Sequence, residues 1–162
     1  MRVKPFSEAM GLDMVCTCGR SCLRLSYSSF FSLRAAVALA HGYDYNAMYF
    51  GPRGVLSDQE RACRDHAPAL YAFLTHPDCE GVWSPADARV VGPMLRAVLD
   101  HPAIARAGST GISFSSKAAG NARAPLVVIQ ETSAKTTWRP ILLELVEGLA
   151  HASESGHTLC FC

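Results

Sequence analysis

The chain has 162 residues, of which 49% are hydrophobic and 18% are charged, so it can bury a core within one domain. Fifteen Lys and Arg against fourteen Asp and Glu give a formal charge of +1, which excludes a general electrostatic attraction to nucleic acid or to an anionic membrane. No run approaches the roughly 20 apolar residues of a membrane span. The seven cysteines are an odd number, which favours free thiols in a reducing, cytosolic compartment.

Acidic residues are concentrated in the middle of the chain. Residues 35–102 hold eight acidic and five basic residues, whereas residues 103–139 hold one acidic and five basic residues. A basic partner would therefore find its best surface on the central helices and on the last helix, where residues 140–162 hold three acids and no Lys or Arg.

The first extended segments predict a β-hairpin. We expect residues 1–9 to be a loose leader and residues 10–162 to form a single α+β domain. From Leu12 to Cys18 the apolar residues alternate with the period of a half-buried strand, and Gly19 begins a turn. A second extended run covers Cys22 to Tyr27 and can pair with the first.

Serine caps predict the first two helices. The first helix follows a cap at Ser28 or Ser29 and runs to Ala40. The second begins after Ser57, and Pro68 interrupts it, because an interior proline removes a hydrogen bond of the helix. We therefore expect a kink or two short helices there.

Two further helices and a strand are predicted in the second half. One helix runs from Pro85 to about Leu99, and the last contains the helically spaced apolar residues of 138–149 and ends at Gly156. His157 to Cys162 alternates as a terminal strand, whereas residues 103–135 carry no clear pattern. This order predicts a small, mostly antiparallel sheet, made of the N-terminal hairpin and the C-terminal strand, covered by about four helices.

The most informative stretch is the polar turn HPDCEGVWSPAD at residues 76–87. Ser84 is a helix cap, the proline after it suits the first helical position, and Asp87 can reach back to the cap. Asp78 and Glu80 concentrate two carboxylates just before Gly81. A carboxylate pair can act in acid–base chemistry, but an acidic turn is more often simply solvated.

Two predicted loops carry aromatic residues. The tryptophan of the polar turn either anchors the turn to the core or anchors an interface, where tryptophan and tyrosine are enriched. The loop YDYNAMYFGPRG at residues 43–54 is either a recognition surface or packed against the sheet. The candidate partner-binding residues are Asp78, Glu80, Trp83, Asp87, Tyr43, Asp44 and Tyr45.

Two metal sites compete with structural explanations. The polar turn has the form of a calcium-binding helix–loop–helix turn, but a histidine at its first position is a poor ligand for a hard cation. Cys16 and Cys18 share a face of the first strand, as Cys160 and Cys162 share a face of the last, so adjacent strands could gather four thiols around zinc. A C-x-C on a strand separates its sulfurs by about two residue rises, and small buried cysteines explain the same pattern. We predict no bound metal and no cofactor.

Catalytic motifs are lacking in the sequence. It has no nucleophile elbow, no H-E-x-x-H and no glycine-rich phosphate loop after a strand. His66, His101 and His151 lie on predicted helices or at their ends, where a surface or capping role is commoner than a catalytic one. The sequence therefore predicts a protein without catalytic activity.

The segment HPDCEGVWSPADA at residues 76–88 resembles the S-D-C-D-G-E-W-S-P-E-E segment of bacterial polymorphic-toxin immunity proteins of the "immunity protein 70" type. MGLDM at residues 10–14, YSSF at 27–30, and the last helix running into SGHTLCFC at 155–162 are similar to other parts of that family. Residues 43–56 and 103–135 have no counterpart. Pro77 and Glu80 stand where the family has serine and aspartate.

The resemblance implies a cytosolic protein that binds one cognate toxin domain and blocks it, with no membrane or direct nucleic-acid contact. An acidic central surface is compatible with this expectation, because it could mask a basic cleft. Two alternatives stay open. One is a small metal- or thiol-dependent enzyme; the other is a small-ligand, nucleotide-like binding or sequestering protein whose anionic ligand would meet the tyrosines at 43, 45 and 49.

Overall fold

A computed structural model describes residues 11–49, 56–77, 80–106 and 137–161. Within these ranges the chain forms a four-stranded antiparallel sheet and seven helices, which confirms the predicted α+β class. In chain order, the elements are β1 (Gly11–Cys16), β2 (Ser21–Ser26), α1 (Tyr27–Ala40), α2 (Tyr45–Tyr49), α3 (Asp58–His66), α4 (Pro68–Thr75), β3 (Val82–Trp83), α5 (Pro85–Arg96), α6 (Pro102–Ala105), α7 (Arg139–Ser155) and β4 (Leu159–Phe161). The predicted leader at residues 1–9 lies outside the described residues.

The sheet has the strand order β2-β1-β4-β3. The predicted hairpin is present, with Leu12 opposite Leu25. The predicted terminal strand β4 lies beside β1 and places Leu159 opposite Cys16, and the edge strand β3 pairs with the other side of β4. We did not expect β3, because two residues at the end of a polar turn are too short to show the period of a strand.

The first helix begins earlier than its sequence indicates. Ser26, not Ser28 or Ser29, is the cap, because its side-chain oxygen accepts a hydrogen bond from the Ser29 amide at 3.2 Å. Several adjacent serines can each cap a helix, so the local sequence does not choose among them. The interruption at Pro68 is confirmed, because α3 ends at His66 and α4 begins at the proline.

One further predicted helical boundary and one predicted loop differ from the structure. α5 ends at Arg96 instead of near Leu99, and turns follow it. The tyrosine-rich segment predicted as a loop contains the short helix α2, whose first turn is held by the Asp44 carboxylate accepting a hydrogen bond from the Ala47 amide at 3.1 Å. Five residues are too few for a helical period to be read in the sequence, and the buried side chain of Met48 supports α2 by tertiary packing.

α7 packs unusually close to the hairpin. Its apolar face is buried, and its end at Gly156 is confirmed by a left-handed backbone with φ of 72°. At Gly148 the helix approaches β2 so closely that a Cβ atom would lie 2.7 Å from the Cβ of Cys22. Glycine is therefore needed at this crossing of helix and strand. None of the helices in the described ranges is long and apolar enough to cross a membrane.

Candidate functional site

The polar turn of residues 76–87 leads into α5 through a capping box. The side-chain oxygen of Ser84 accepts a hydrogen bond from the Asp87 amide at 3.1 Å. In return, the Asp87 carboxylate accepts hydrogen bonds from the Ser84 amide at 2.9 Å and from its hydroxyl at 2.7 Å. The cap predicted from the sequence is confirmed. Asp87 is a partner-binding candidate and the last residue of the turn that has the form of a calcium loop, and its carboxylate is engaged in this cap.

Loss of this cap gives a direct test of the helix start. We expect Ser84→Ala to lower the free energy of unfolding by about 1 kcal/mol, because the Asp87 amide loses its acceptor and the Asp87 carboxylate loses the Ser84 hydroxyl. Chemical denaturation at equilibrium measures the change. Ser32→Ala, inside α1, is the matched control and should change stability by less than about 0.5 kcal/mol, since alanine suits a helix interior. Equal effects of the two substitutions would contradict a special role for Ser84.

Trp83 belongs to the core. Its side chain is 3% exposed, and its ring lies 4.9 Å from that of Phe161, 5.2 Å from that of His76 and 6.0 Å from that of Phe73, measured between centroids. The alternative in which Trp83 anchors the turn to the core therefore describes the structure. Its inclusion among the partner-binding candidates is corrected, because a buried indole offers a partner no surface.

The tyrosine-rich segment is also partly buried. Tyr45 is 4% exposed and its hydroxyl donates a hydrogen bond to the carbonyl of Leu74 at 3.3 Å, so it too is corrected to a core residue. Tyr43 is half-buried and Asp44 is exposed at the start of α2. The exposed aromatic is instead Tyr49, at 61%. The sequence could have indicated it only through its place four residues after Tyr45, where a short helix brings the two rings together.

α2 and the end of α4 border a groove of about 330 Å³. We name it the tyrosine groove; the residues that define it are Arg34, Tyr45, Tyr49, Glu60, His76 and Pro77. Arg34 is only 3% exposed, and its guanidinium lies 4.3 Å above the ring of Phe30 and donates a hydrogen bond to the carbonyl of His76 at 2.5 Å. The tyrosine segment and the polar turn, two separate candidates in the sequence, thus meet around one groove.

His76 connects the tyrosine groove to the edge of the sheet. Its ring stacks on Phe161 at 4.1 Å between centroids. Gly81 follows with φ of 128°, and a Cβ atom there would come within 2.9 Å of the His76 ring. Of the two neighbours of Gly81, Glu80 is exposed and Val82, on β3, is 55% exposed. The tyrosine groove and this edge of the sheet are therefore adjacent, because His76 contacts both. Asp78, another partner-binding candidate, lies outside the described residues.

A second candidate site lies at the other end of β1. The sulfurs of Cys16 and Cys18 and a ring nitrogen of His151 all lie within 4.8 Å of one another. The Cys18 Sγ and the His151 Nε2 are 3.4 Å apart. We name these three residues the thiol–imidazole cluster. His151, on α7, was interpreted from the sequence as a surface or capping residue.

The predicted grouping of four cysteines is wrong in one member, and another cannot be placed. Cys160 is paired with Val15, whereas Cys16 is paired with Leu159, so the sulfurs of Cys16 and Cys160 lie on opposite faces of the sheet. Cys162 lies outside the described residues. The sulfurs of Cys16 and Cys18 do not splay apart as expected for a C-x-C on a strand, because β1 ends at Cys16 and Cys18 lies in the turn.

The turn after β1 holds both thiols. The Cys16 amide donates a hydrogen bond to the Arg20 carbonyl at 2.8 Å, and the Gly19 amide donates one to the Cys16 carbonyl at 2.7 Å. Gly19 has φ of 90°, a left-handed conformation that glycine adopts readily. The chain therefore folds back over Cys16 and brings Cys18 to the same side as the buried face of β1.

The local environment separates the acidities of the two thiols. The pKa of Cys18 is lowered to about 7, first by a hydrogen bond from the Cys16 thiol, then by the backbone amide of Arg20 and by His151. Burial raises the pKa of Cys16, and the hydrogen bond to Cys18 raises it further. Cys63, buried in α3, has its pKa raised by burial to about 11. Cys18 is thus the more acidic of the two thiols.

Alkylation with iodoacetamide in the presence of a chelator should distinguish these cysteines. The thiolate is the reactive form, so the Cys18 rate should rise with pH, reach half its plateau near pH 7, and fall at pH 6 to about a tenth of that plateau. Cys63 should stay unmodified in the folded protein up to pH 9, because it is both buried and protonated. Peptide mass spectrometry measures both rates. Equal rates at Cys18 and Cys63 would contradict the described environments.

Comparison with protein-family models, with curated proteins and with solved structures finds no match for this chain. Function must therefore be argued from the two sites.

Proposed function

We propose that this chain is a cytosolic immunity protein that binds a cognate bacterial toxin domain without chemistry of its own. The observation that carries the proposal is the meeting of the tyrosine segment and the polar turn around the tyrosine groove. The polar turn is also the segment that resembles immunity proteins. A protein-binding surface at this groove would include both the tyrosine segment and the polar turn.

The composition of this surface suits a protein partner. Tyr49 is an exposed, rigid aromatic whose ring packs on those of Phe31, at 5.0 Å, and Tyr45, at 5.8 Å. An aromatic side chain already held by its neighbours loses little entropy when a partner covers it, which is typical of binding hot spots. Val82 adds exposed apolar area at the sheet edge, and Glu80 adds a charge beside it.

The charge pattern suits a basic partner. The segment from residue 35 to residue 102 has more acidic than basic residues, and among them Asp44, just before α2, and Glu80, in the polar turn, are exposed. Opposite charges on two binding surfaces accelerate association and select the partner. The five cysteines of the described ranges are free thiols, which supports a reducing compartment.

The test begins with native mass spectrometry of the tagged chain recovered from its source cells. We expect a stoichiometric complex with a protein that is toxic when expressed alone and harmless when expressed with this chain. The purified pair then allows affinity measurements on variants. Recovery of a stoichiometric small molecule in place of a protein would contradict the proposal and favour the ligand-sequestering alternative.

Substitutions on the proposed surface should weaken binding without unfolding the chain. We expect Tyr49→Ala, and the double substitution Asp78→Ala with Glu80→Ala, each to weaken toxin binding at least tenfold, because they remove an aromatic anchor and the turn carboxylates. Val90→Ala, which replaces an exposed apolar residue of α5, is the control and should bind as the original chain does. Unchanged affinity in the Tyr49 and turn variants would remove this surface from the interface.

A further inference from the structure

The geometry of the thiol–imidazole cluster is close to that of a metal site. With metal–sulfur bonds of about 2.3 Å and metal–nitrogen bonds of about 2.0 Å, a tetrahedral zinc site separates its ligand atoms by roughly 3.5 to 3.8 Å. The Cys18 sulfur and the His151 Nε2 are already 3.4 Å apart, and all three ligand atoms lie within 4.8 Å of one another. Small side-chain rotations are therefore enough to bring the three atoms around one ion.

The fold brings these residues together from distant parts of the chain. Cys18 and His151 are separated by 133 residues. The end of β1 and the turn after it supply the two sulfurs. α7 supplies the imidazole, because Gly148, one helical turn before His151, holds this helix against β2. The cluster is accessible from solvent, since Cys18 is exposed and His151 is half-buried, whereas Cys16 is buried.

We propose that Cys16, Cys18 and His151 bind a thiophilic divalent cation, with Zn²⁺ as the expected ion. Two thiolates and one imidazole are the donor set that zinc prefers over the hard cations calcium and magnesium. Within the described ranges no fourth histidine, cysteine or carboxylate joins the three at this distance. The ion links the β1–β2 turn to α7.

This site is independent of the tyrosine groove and of toxin binding. A metal that bridges two elements stabilises the folded chain, because the unfolded chain does not hold its ligands together. Binding also releases the proton of the Cys16 thiol, since the metal ligand is the thiolate.

Cobalt substitution tests the proposal on the reduced, chelator-treated full chain. We expect one equivalent of Co²⁺ to bind, with visible bands of tetrahedral intensity and a thiolate-to-cobalt charge-transfer band, and Zn²⁺ to displace it. X-ray absorption of the zinc form should show two sulfur and one or more nitrogen or oxygen neighbours. Failure of the reduced chain to bind either ion in a one-to-one ratio would overturn the proposal, as would a spectrum without sulfur ligation.

Matched variants connect the binding to the three residues. Cys18→Ala and His151→Ala replace side chains at the surface and should each weaken Co²⁺ binding at least tenfold and abolish the rise of the melting temperature with Zn²⁺. Cys160→Ser, on the opposite face of the sheet, and His66→Ala, exposed on α3, should bind as the original chain does. Circular dichroism checks that each variant is folded. Loss of binding in the controls, or its retention in the Cys18 and His151 variants, would overturn the assignment.

Discussion

Replacement of Trp83 by alanine should lower the free energy of unfolding by about 3–5 kcal/mol, the cost of emptying a large aromatic site in a core. The ring fills the space between α4, β3 and β4, where it contacts Phe73, His76 and Phe161. Neighbouring rings cannot collapse into the cavity without giving up their own contacts. Chemical denaturation at equilibrium, followed by circular dichroism, measures the loss.

Two further variants define what the loss means. Trp83→Phe keeps an aromatic ring in the site and should cost clearly less than Trp83→Ala, because less volume is lost. Val82→Ala changes the adjacent residue, whose side chain is 55% exposed, and should cost less than about 1 kcal/mol. A loss below about 1 kcal/mol for Trp83→Ala would contradict the role of this residue in the core.

The second large effect is expected at Gly148. Gly148→Ala should lower the free energy of unfolding by about 1–3 kcal/mol, because the added methyl group would lie 2.7 Å from the Cβ of Cys22 and must push α7 away from β2. The Cβ of Cys22 is attached directly to its strand, so it cannot rotate out of the way. The higher helix propensity of alanine offsets only about 1 kcal/mol of this strain.

Gly92→Ala is the matched control for Gly148→Ala. Gly92 lies inside α5, and a Cβ atom there would be 3.4 Å from the Cβ of Leu149, close to an ordinary contact. Its substitution should be neutral or stabilising by up to about 1 kcal/mol. If Gly148 sets the position of α7, its alanine variant should also bind Co²⁺ more weakly than the Gly92 variant. Equal stability of the two variants would contradict the close crossing.

Local signals in the sequence predicted the elements that depend on neighbouring residues. The capping box at Ser84 and Asp87 and the break at Pro68 were predicted correctly, because each depends on atoms within about one helical turn. The hairpin was predicted from alternation in two short runs, residues 12–18 and 22–27. β3 and α2 were missed because such short elements exist only through the strand or core residues that they contact.

The candidate sites also combine properties that the local sequence predicts with properties that only tertiary contacts decide. Residue types and spacing made Trp83 and Tyr45 candidates for partner binding. Whether an aromatic residue can contact a partner depends on its burial, and both residues lie in the core. Spacing alone grouped Cys16 and Cys18 with the terminal cysteines, whereas the register of β1 and β4 turns Cys160 to the other face. Only the packing of α7 brings His151 to Cys18.

The sequence by itself determined the α+β class, the hairpin, the capping box at Ser84 and Asp87, and the proline break, since these follow from periods and hydrogen bonds within short stretches of chain. The tertiary structure decided which aromatic residues are exposed, that the tyrosine segment and the polar turn share one groove, and that His151 lies beside Cys16 and Cys18 although 133 residues separate it from Cys18. Such juxtapositions depend on strand register and on close crossings such as that at Gly148. Those features are set by the packing of the whole core and have no signature in neighbouring residues.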